Sequence, residues 1–168
     1  GRGSQEQRVA GHDRVGCSRR GASTMTTTTH TRSIDIDAPV AKVFDYIKDP
    51  KNIFYAVDQA VSISEENIAP DTGEGSVWNW QSHVLFVPFH GTLTRETYVP
   101  QERIVDHSTT GVTYAFTVRP ADAGTTLIME VGVSSRVPFL DKVEDKVFWK
   151  GDRDLDKYLG IYKKAIEA

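Results

Sequence analysis

Cysteine is almost absent from this sequence: the 168 residues include only one, Cys17. A single thiol cannot form an intrachain disulfide or build a cysteine-based zinc site, so disulfide-framework and zinc-ribbon domains are excluded. Because Cys17 precedes the regularly patterned part of the chain, that part also has no thiol nucleophile. This usage fits a reducing compartment, and we expect a cytoplasmic protein.

Long hydrophobic runs and an excess of basic residues are also missing. No apolar run approaches the ~18 residues that a membrane span needs. The 20 Lys and Arg residues are outnumbered by 23 Asp and Glu. We therefore expect no stable membrane insertion and no nucleic-acid partner. The 39% hydrophobic and 10% aromatic content instead indicates one globular domain with a core of its own.

The charge that is present is unevenly spread. Residues 1–24 contain five Arg and two acidic residues, which leaves 15 basic and 21 acidic side chains in residues 25–168. The leader has no apolar stretch of the kind a secretory signal needs, and its Gly-Arg-Gly-Ser start is typical of a cloning remnant. We interpret 1–24 as a disordered, non-native leader and 25–168 as a single domain. An organelle-targeting or nucleic-acid-binding arm is the alternative.

The first elements of the domain follow from hydrophobic periodicity. Alternation over 31–37 predicts a strand with one buried face. An apolar stripe at i, i+3, i+4 and i+7 over 40–47 predicts a short helix. Asp49 and Pro50 then supply the N-cap and first residue of a second short helix.

Period-two segments separated by Gly- and Pro-rich turns dominate the middle of the chain. They predict sequential antiparallel strands near 61–67, 76–86, 90–99, 103–109, 113–119 and 125–135. From Pro138 onward, apolar residues at spacings of three, four and seven predict a long C-terminal helix, interrupted at Gly151. We interpret Gly151 as a kink or close packing contact, with relief of crowding over a cavity as the alternative.

The predicted apolar strand faces are rich in aromatic side chains. They carry Trp78, Trp80, Tyr114, Phe116, Leu127 and Met129. Such faces under an amphipathic helix form either an ordinary core or a hydrophobic pocket, and the pattern leaves both open.

Residues for catalysis or metal binding are sparse. The histidines stand singly, no HExxH or HxxxH spacing occurs, and Gly73-Glu-Gly75 lacks the lysine of a phosphate-binding loop. We therefore expect no metal and no cofactor.

Two strands have faces that alternation does not assign. In 90–99 either Thr94-Glu96-Tyr98 or Leu93-Arg95-Thr97 points inward, and in 103–109 either Ile104-Asp106 or Val105-His107 does. The titratable or charged candidates for a pocket are therefore Glu96, Arg95, Asp106 and His107, each of which could equally lie on an exposed strand face.

The order of these elements resembles the SRPBCC, or START-like, helix-grip superfamily, and within it the bacterial polyketide cyclase/dehydrase-like branch. The resemblance covers nearly all of residues 31–168. It is carried by Ile34-Asp-Ile-Asp-Ala-Pro39, Val43-Phe44, Ile47, Asp49-Pro50, Gly75-Ser-Val-Trp78, Tyr98-Val-Pro100 and Gly124-Thr-Thr-Leu127. One departure is Phe54-Tyr55, where relatives often have a tryptophan.

The resemblance implies an α+β helix-grip fold: a curved seven-stranded antiparallel sheet, two short helices and a long C-terminal helix across it. It also implies binding or transport of a small hydrophobic ligand, such as a lipid, a sterol or a polyketide-like molecule, between sheet and helix. The expected lining residues are Trp78, Trp80, Tyr114, Phe116, Met129, Phe148 and Tyr158.

Two alternatives to simple binding remain open. One is an enzyme of the cyclase or dehydratase kind, for which Glu96 is the first choice as general base because its strand face can carry Tyr98. The other is a protein-interaction or regulatory module, which would show an exposed apolar patch. Binding is favoured because the pattern forces no converging acid/base pair.

The leader provides a first test. Deleting residues 1–24 should leave the melting temperature unchanged within about 2 °C, because a segment without caps or an apolar face does not stabilise the domain. Differential scanning calorimetry of the two proteins measures this directly. A clearly lower melting temperature after deletion would mean that the leader packs on the domain.

Overall fold

A computed structural model describes residues 27–57, 61–84, 86–134 and 152–168, and within them seven strands and three α-helices. In chain order the elements are β1 (Thr27–Ile36), α1 (Val40–Ile47), α2 (Pro50–Val57), β2 (Ser62–Asn67), β3 (Val77–Val84), β4 (Val87–Val99), β5 (Arg103–Ser108), β6 (Val112–Ala121), β7 (Gly124–Ser134) and α3 (Asp152–Glu167).

The strands form one antiparallel sheet in the order β1-β7-β6-β5-β4-β3-β2. Strands β2 to β7 are joined as successive hairpins, and β1 closes the order by pairing with β7. The predicted seven-stranded sheet and helix-grip α+β class are therefore confirmed. Strand β1 begins at Thr27, earlier than the predicted residue 31, because its pairing with β7 extends from Ile36↔Thr125 to Thr27↔Ser134.

The predicted corner between the two short helices is also present. The carboxylate of Asp49 accepts a hydrogen bond from the backbone N–H of Lys51 at 2.9 Å, and Pro50 is the first residue of α2. This is the geometry of an N-cap, which satisfies one of the free N–H groups at the start of a helix.

Helix α3 packs along β1 and against α1 and α2. Its buried face consists of Leu155, Leu159, Tyr162 and Ile166. The hydroxyl of Tyr162 donates to the carbonyl of Ile53 in α2 at 3.2 Å. On the outer side, Arg32 of β1 pairs with Asp152 at 3.0 Å. The earlier part of the predicted helix, 138–151, lies outside the described residues.

A β-bulge in β4 decides the faces that alternation left open. The register with β5 shifts between Arg95 and Thr97. Leu93 and Arg95 face the interior, Glu96 is exposed at the bulge, and Tyr98 packs against the core again. Neither predicted alternative for this strand holds along its whole length, because a bulge resets the two-residue alternation.

In strand β5 the first of the two predicted alternatives, with Ile104 and Asp106 pointing inward, is correct. Ile104, Asp106 and Ser108 are buried, whereas Val105 and His107 on the other face keep partial exposure. Asp106 is thus directed to the same interior as Arg95, its partner in the β4–β5 register.

Arg95 and Asp106 form a buried ion pair that connects four parts of the fold. The Arg95 side chain is 0% exposed. Its Nε and Nη2 atoms donate to the two carboxylate oxygens of Asp106 at 2.8 and 2.9 Å. Its Nη1 atom donates to the carbonyls of Lys48, at the end of α1, and Thr72, in the turn before β3, at 2.9 and 2.7 Å. The guanidinium also lies 4.9 Å from the centre of the Trp78 ring in β3.

Burial and pairing act on Asp106 in opposite directions. Removal from water raises the pKa of the carboxyl group, and the hydrogen bonds and positive charge of Arg95 partly reverse this. The bidentate geometry is that of a guanidinium bound to a carboxylate, and it provides directional contacts more than net electrostatic energy.

Replacing only one partner of the Arg95–Asp106 ion pair should therefore lower the stability of the protein. Asp106→Leu leaves a buried guanidinium without its counter-charge, and we expect a loss of about 3–5 kcal/mol in the free energy of unfolding. Arg95→Met combined with Asp106→Leu should recover part of this loss, although the carbonyls of Lys48 and Thr72 then have no donor. Urea unfolding of the three proteins measures both effects. A single variant as stable as the parent would show that the pair does not hold these elements together.

Candidate functional site

The buried side chains fall into two clusters. The larger one joins α1, α2 and α3 to the strands on the β1 side of the sheet. The smaller one consists of Ile63, Trp78 and Leu93 on β2, β3 and β4. Phe54 and Tyr114 pack against both clusters, with their rings edge to face at 5.1 Å and 86°. Both of these bridging residues are only partly buried.

Two properties of Tyr114 bear on whether it lines a pocket. Burial, together with the nearby hydroxyl of Tyr158, raises the pKa of the Tyr114 hydroxyl to about 12. Protein therefore surrounds the hydroxyl, while the residue as a whole is only partly buried. Such a residue suits the wall of a ligand pocket, which is mostly apolar with a few polar groups.

Trp80 lies next to this junction and is also partly buried. Its register partner in β4 is Gly91, and a Cβ atom at Gly91 would lie 2.8 Å from the Trp80 ring. The absence of a side chain at Gly91 therefore lets the indole lie across the neighbouring strand. This contact gives the glycine a steric role in positioning Trp80.

Ser82 contributes an unpaired polar group to the same strand face as Trp78 and Trp80. The residue is 6% exposed, and its Oγ atom has no hydrogen-bond partner in the described part of the chain. Ser108, which is equally buried, differs because its hydroxyl lies 2.9 Å from that of Thr110. Since buried hydroxyl groups are normally hydrogen-bonded, the unpaired Oγ atom of Ser82 is a candidate polar anchor for a bound molecule.

The structure separates the predicted lining residues into two groups. Trp80, Tyr114 and Tyr158 are partly buried, as wall residues would be. Trp78, Phe116 and Met129 are each 2% exposed, and the last two are register partners across β6 and β7. Phe148 lies outside the described residues.

Glu96 does not reach the interior, which corrects the expectation of a pocket base at this position. It is exposed at the β4 bulge, whereas Tyr98, its expected partner, turns inward. The hydroxyl of Tyr98 instead donates to the carboxylate of Asp71 at 2.6 Å, and this interaction contributes to lowering the pKa of Asp71. The Glu96–Tyr98 acid/base arrangement is not formed.

A concavity lies on the face of the sheet opposite the aromatic junction. It is an open groove of about 290 Å³ lined by Thr29, Arg103, Thr113, Glu130 and Gly132, among others. Arg103 donates to Glu130 at 3.0 Å and to Thr117 at 2.6 Å, so the charge of the groove is internally paired. Its polar, open character differs from that of an apolar ligand pocket, and we retain the aromatic junction as the candidate site.

Other kinds of site find no support in the part of the chain that the structure describes. Within it, no three His, Cys, Asp or Glu side chains are grouped closely enough to hold a metal ion. None of its helices has the length and apolar character needed to cross a membrane.

Solved structures with the same fold include enzymes. Norcoclaurine synthase from Thalictrum flavum, in complex with dopamine and hydroxybenzaldehyde, has a TM-score of 0.61 at 12% identity, covering 97% of this chain and 96% of that one. The KanY protein has a TM-score of 0.60 at 17% identity, covering 86% and 100%. The di-domain ARO/CYC protein BexL of the BE-7585A biosynthetic pathway has a TM-score of 0.58 at 20% identity, covering 84% of this chain and 50% of that one.

At such identities these likenesses establish the fold alone. A comparison with curated protein sequences gave no match. The sequence profile of one family, described as polyketide cyclase / dehydrase and lipid transport, matches residues 25–167. The match agrees with the observed sheet order and with the packing of the C-terminal helix. The chain therefore belongs to the polyketide cyclase/dehydrase and lipid transport family.

Proposed function

We propose that this protein binds or transports a small hydrophobic molecule between the sheet and α3, at the junction lined by Phe54, Trp80 and Tyr114. The observation that carries the proposal is the edge-to-face pair of Phe54 and Tyr114, two partly buried rings that pack against both buried clusters. Burial also raises the pKa of the Tyr114 hydroxyl to about 12. Tyr158 lies close enough to add to that pKa shift. We assign it to the same wall.

Two polar groups favour a ligand that is apolar but not purely aliphatic: Tyr114 at this junction and Ser82, two residues beyond Trp80 on the same face of β3. The Tyr114 hydroxyl stays protonated at neutral pH and can donate a hydrogen bond, and the Ser82 hydroxyl can donate or accept one. The edge-to-face rings of Phe54 and Tyr114 offer an aromatic surface. An aromatic or polycyclic molecule with a carbonyl or hydroxyl group matches this arrangement better than a saturated chain does.

Binding is favoured over catalysis because the buried charged groups are already hydrogen-bonded to each other and to backbone carbonyls. The guanidinium of Arg95 contacts Asp106, Lys48 and Thr72, and both carboxylate oxygens of Asp106 accept from Arg95. Neither group is left to move a proton to or from a ligand. Tyr114 is a titratable residue whose ring forms part of the aromatic surface itself.

A cyclase- or dehydratase-type enzyme is the second candidate, and Tyr114 is the observation that favours it. A neutral phenol with a raised pKa can stabilise negative charge developing on a carbonyl oxygen by donating a hydrogen bond. Under this candidate, Tyr114→Phe lowers turnover of a polyketide-like substrate by a factor of about 10²–10⁴. Under the binding proposal no turnover is observed.

Ser82→Ala provides the sharpest test of the proposed site, because its two effects have opposite signs. Removing a buried hydroxyl without a partner should raise the free energy of unfolding of the ligand-free protein. The same change should weaken binding of a neutral naphthol-type fluorescent probe by roughly two- to tenfold, which is the net value of one hydrogen bond. Thermal melts and titrations followed by energy transfer from tryptophan to the probe measure the two effects.

Two control variants accompany this test. Ser108→Ala removes a hydroxyl that has a partner, so it should lower stability. Glu96→Gln changes only an exposed side chain at the bulge and should leave both stability and probe affinity unchanged. Absence of saturable probe binding by the parent protein would contradict the proposed function.

A further inference from the structure

The hairpin formed by β3 and β4 is unusual in its composition. Residues 75–94 contain no Lys, Arg, Asp or Glu, although 26% of the whole chain is charged. Around its turn the sequence is Val84-Leu-Phe-Val-Pro-Phe89, which consists entirely of apolar residues. Interspersed charged side chains normally keep a protein surface soluble, and this hairpin has none.

The end of this hairpin extends beyond its neighbours in the sheet. Pairing between β2 and β3 begins at Ser62↔Gln81, and pairing between β4 and β5 begins at Leu93↔Ser108. Past these points, within the described residues, Ser82–Val84 pairs only with Val87–Phe89. The backbone of the tip is therefore paired in two strands only, although its face at Ser82 is covered, since Ser82 is 6% exposed.

The turn exposes its apolar side chains to an unusual degree. Phe86 is 98% exposed and Val87 is 53% exposed. Phe86 also has a φ of 69°, in the left-handed region that a bulky residue rarely adopts. The chain thus holds a phenylalanine outward in a conformation that costs energy, and its own described residues do not cover it.

Several features favour a lipid surface over a protein as the partner of this tip. Around the tip, the exposed large apolar side chains of the described residues are confined to Phe86 and Val87 at one turn. Such a small patch is far below the roughly 800 Å² per partner that a specific protein–protein interface buries, whereas it suits shallow insertion into a bilayer interface. Without charged residues it offers no ion pairs to orient a protein partner. Pro88 lacks an N–H group, so the β4 edge of the tip is poorly suited to pairing with an added strand.

We propose that the tip of the β3–β4 hairpin, comprising Phe86, Val87 and Pro88, is a docking surface for the interface of a lipid bilayer. The contact is peripheral and reversible, since few side chains insert. This inference goes beyond the proposed function, because the tip can dock whether or not the interior holds a ligand. Where both hold, docking brings the Trp80 and Ser82 end of β3 next to the lipid.

Flotation of the full chain with phosphatidylcholine vesicles tests the inference. The parent protein should float with the vesicles, and Phe86→Asp should lower its partition coefficient by roughly ten- to a hundredfold, as expected from losing burial of one phenylalanine. Val99→Asp is the matched control. Val99 is 39% exposed at the opposite end of β4, so its replacement should leave flotation unchanged.

Four results would overturn this assignment. The first two are failure of the parent to float and equal flotation of Phe86→Asp. The third is flotation only with anionic vesicles and its loss in salt, which would indicate attraction of charge instead of insertion. The fourth is self-association of the parent, measured by analytical ultracentrifugation without vesicles and abolished by Phe86→Asp, which would assign the tip to a second copy of the chain.

A separate measurement distinguishes this inference from the proposed function. Phe86→Asp should bind the naphthol-type probe with the affinity of the parent, since Phe86 lies outside the aromatic junction. If the parent protein floats with vesicles but does not bind the probe, the docking surface is supported and the interior site is rejected. If it binds the probe but does not float, the interior site is supported and the docking surface is rejected.

Discussion

The buried guanidinium of Arg95 is the group on which the arrangement of the interior depends. Because it donates to Asp106 and to the carbonyls of Lys48 and Thr72 simultaneously, it links the end of α1 and the turn before β3 to β4 and β5. Its position beneath Trp78 then sets one wall of the smaller cluster. An arginine that satisfies backbone carbonyls and a carboxylate in this way ties together elements that hydrophobic contact alone would hold less specifically.

Much of the sheet was predictable because most of its strands keep an uninterrupted two-residue alternation. The faces of β3 and β7 follow from that period, and Trp78, Trp80 and Met129 were placed correctly on the interior side. Strand β4 was not predictable in this way. A bulge leaves no clear mark in the sequence, and burial of Arg95 contradicts the general tendency of charged residues to stay exposed. Its pairing with Asp106 becomes evident only from the register.

The sequence predicted which strand faces carry the candidate site, but not how deeply each of its residues is buried. Alternation assigned Tyr114 and Phe116 to the same side of β6, yet one lies at the partly open junction and the other is fully packed. Ser82 carried a weak signal, as a polar residue in an apolar face. Phe54 and Gly91 were missed, because their roles come from contacts between elements that periodicity does not describe.

The proposed function requires an aromatic-walled space at Tyr114 that admits a small hydrophobic molecule. The most direct test is an isotope-filtered NOE experiment on the labelled protein with an unlabelled naphthol. We expect contacts from the ligand protons to the rings of Tyr114, Phe54 and Trp80, and none to the outer-face groove at Thr113. Contacts confined to the outer groove or to the Phe86 turn, or no intermolecular contacts at saturating ligand, would contradict the proposed function.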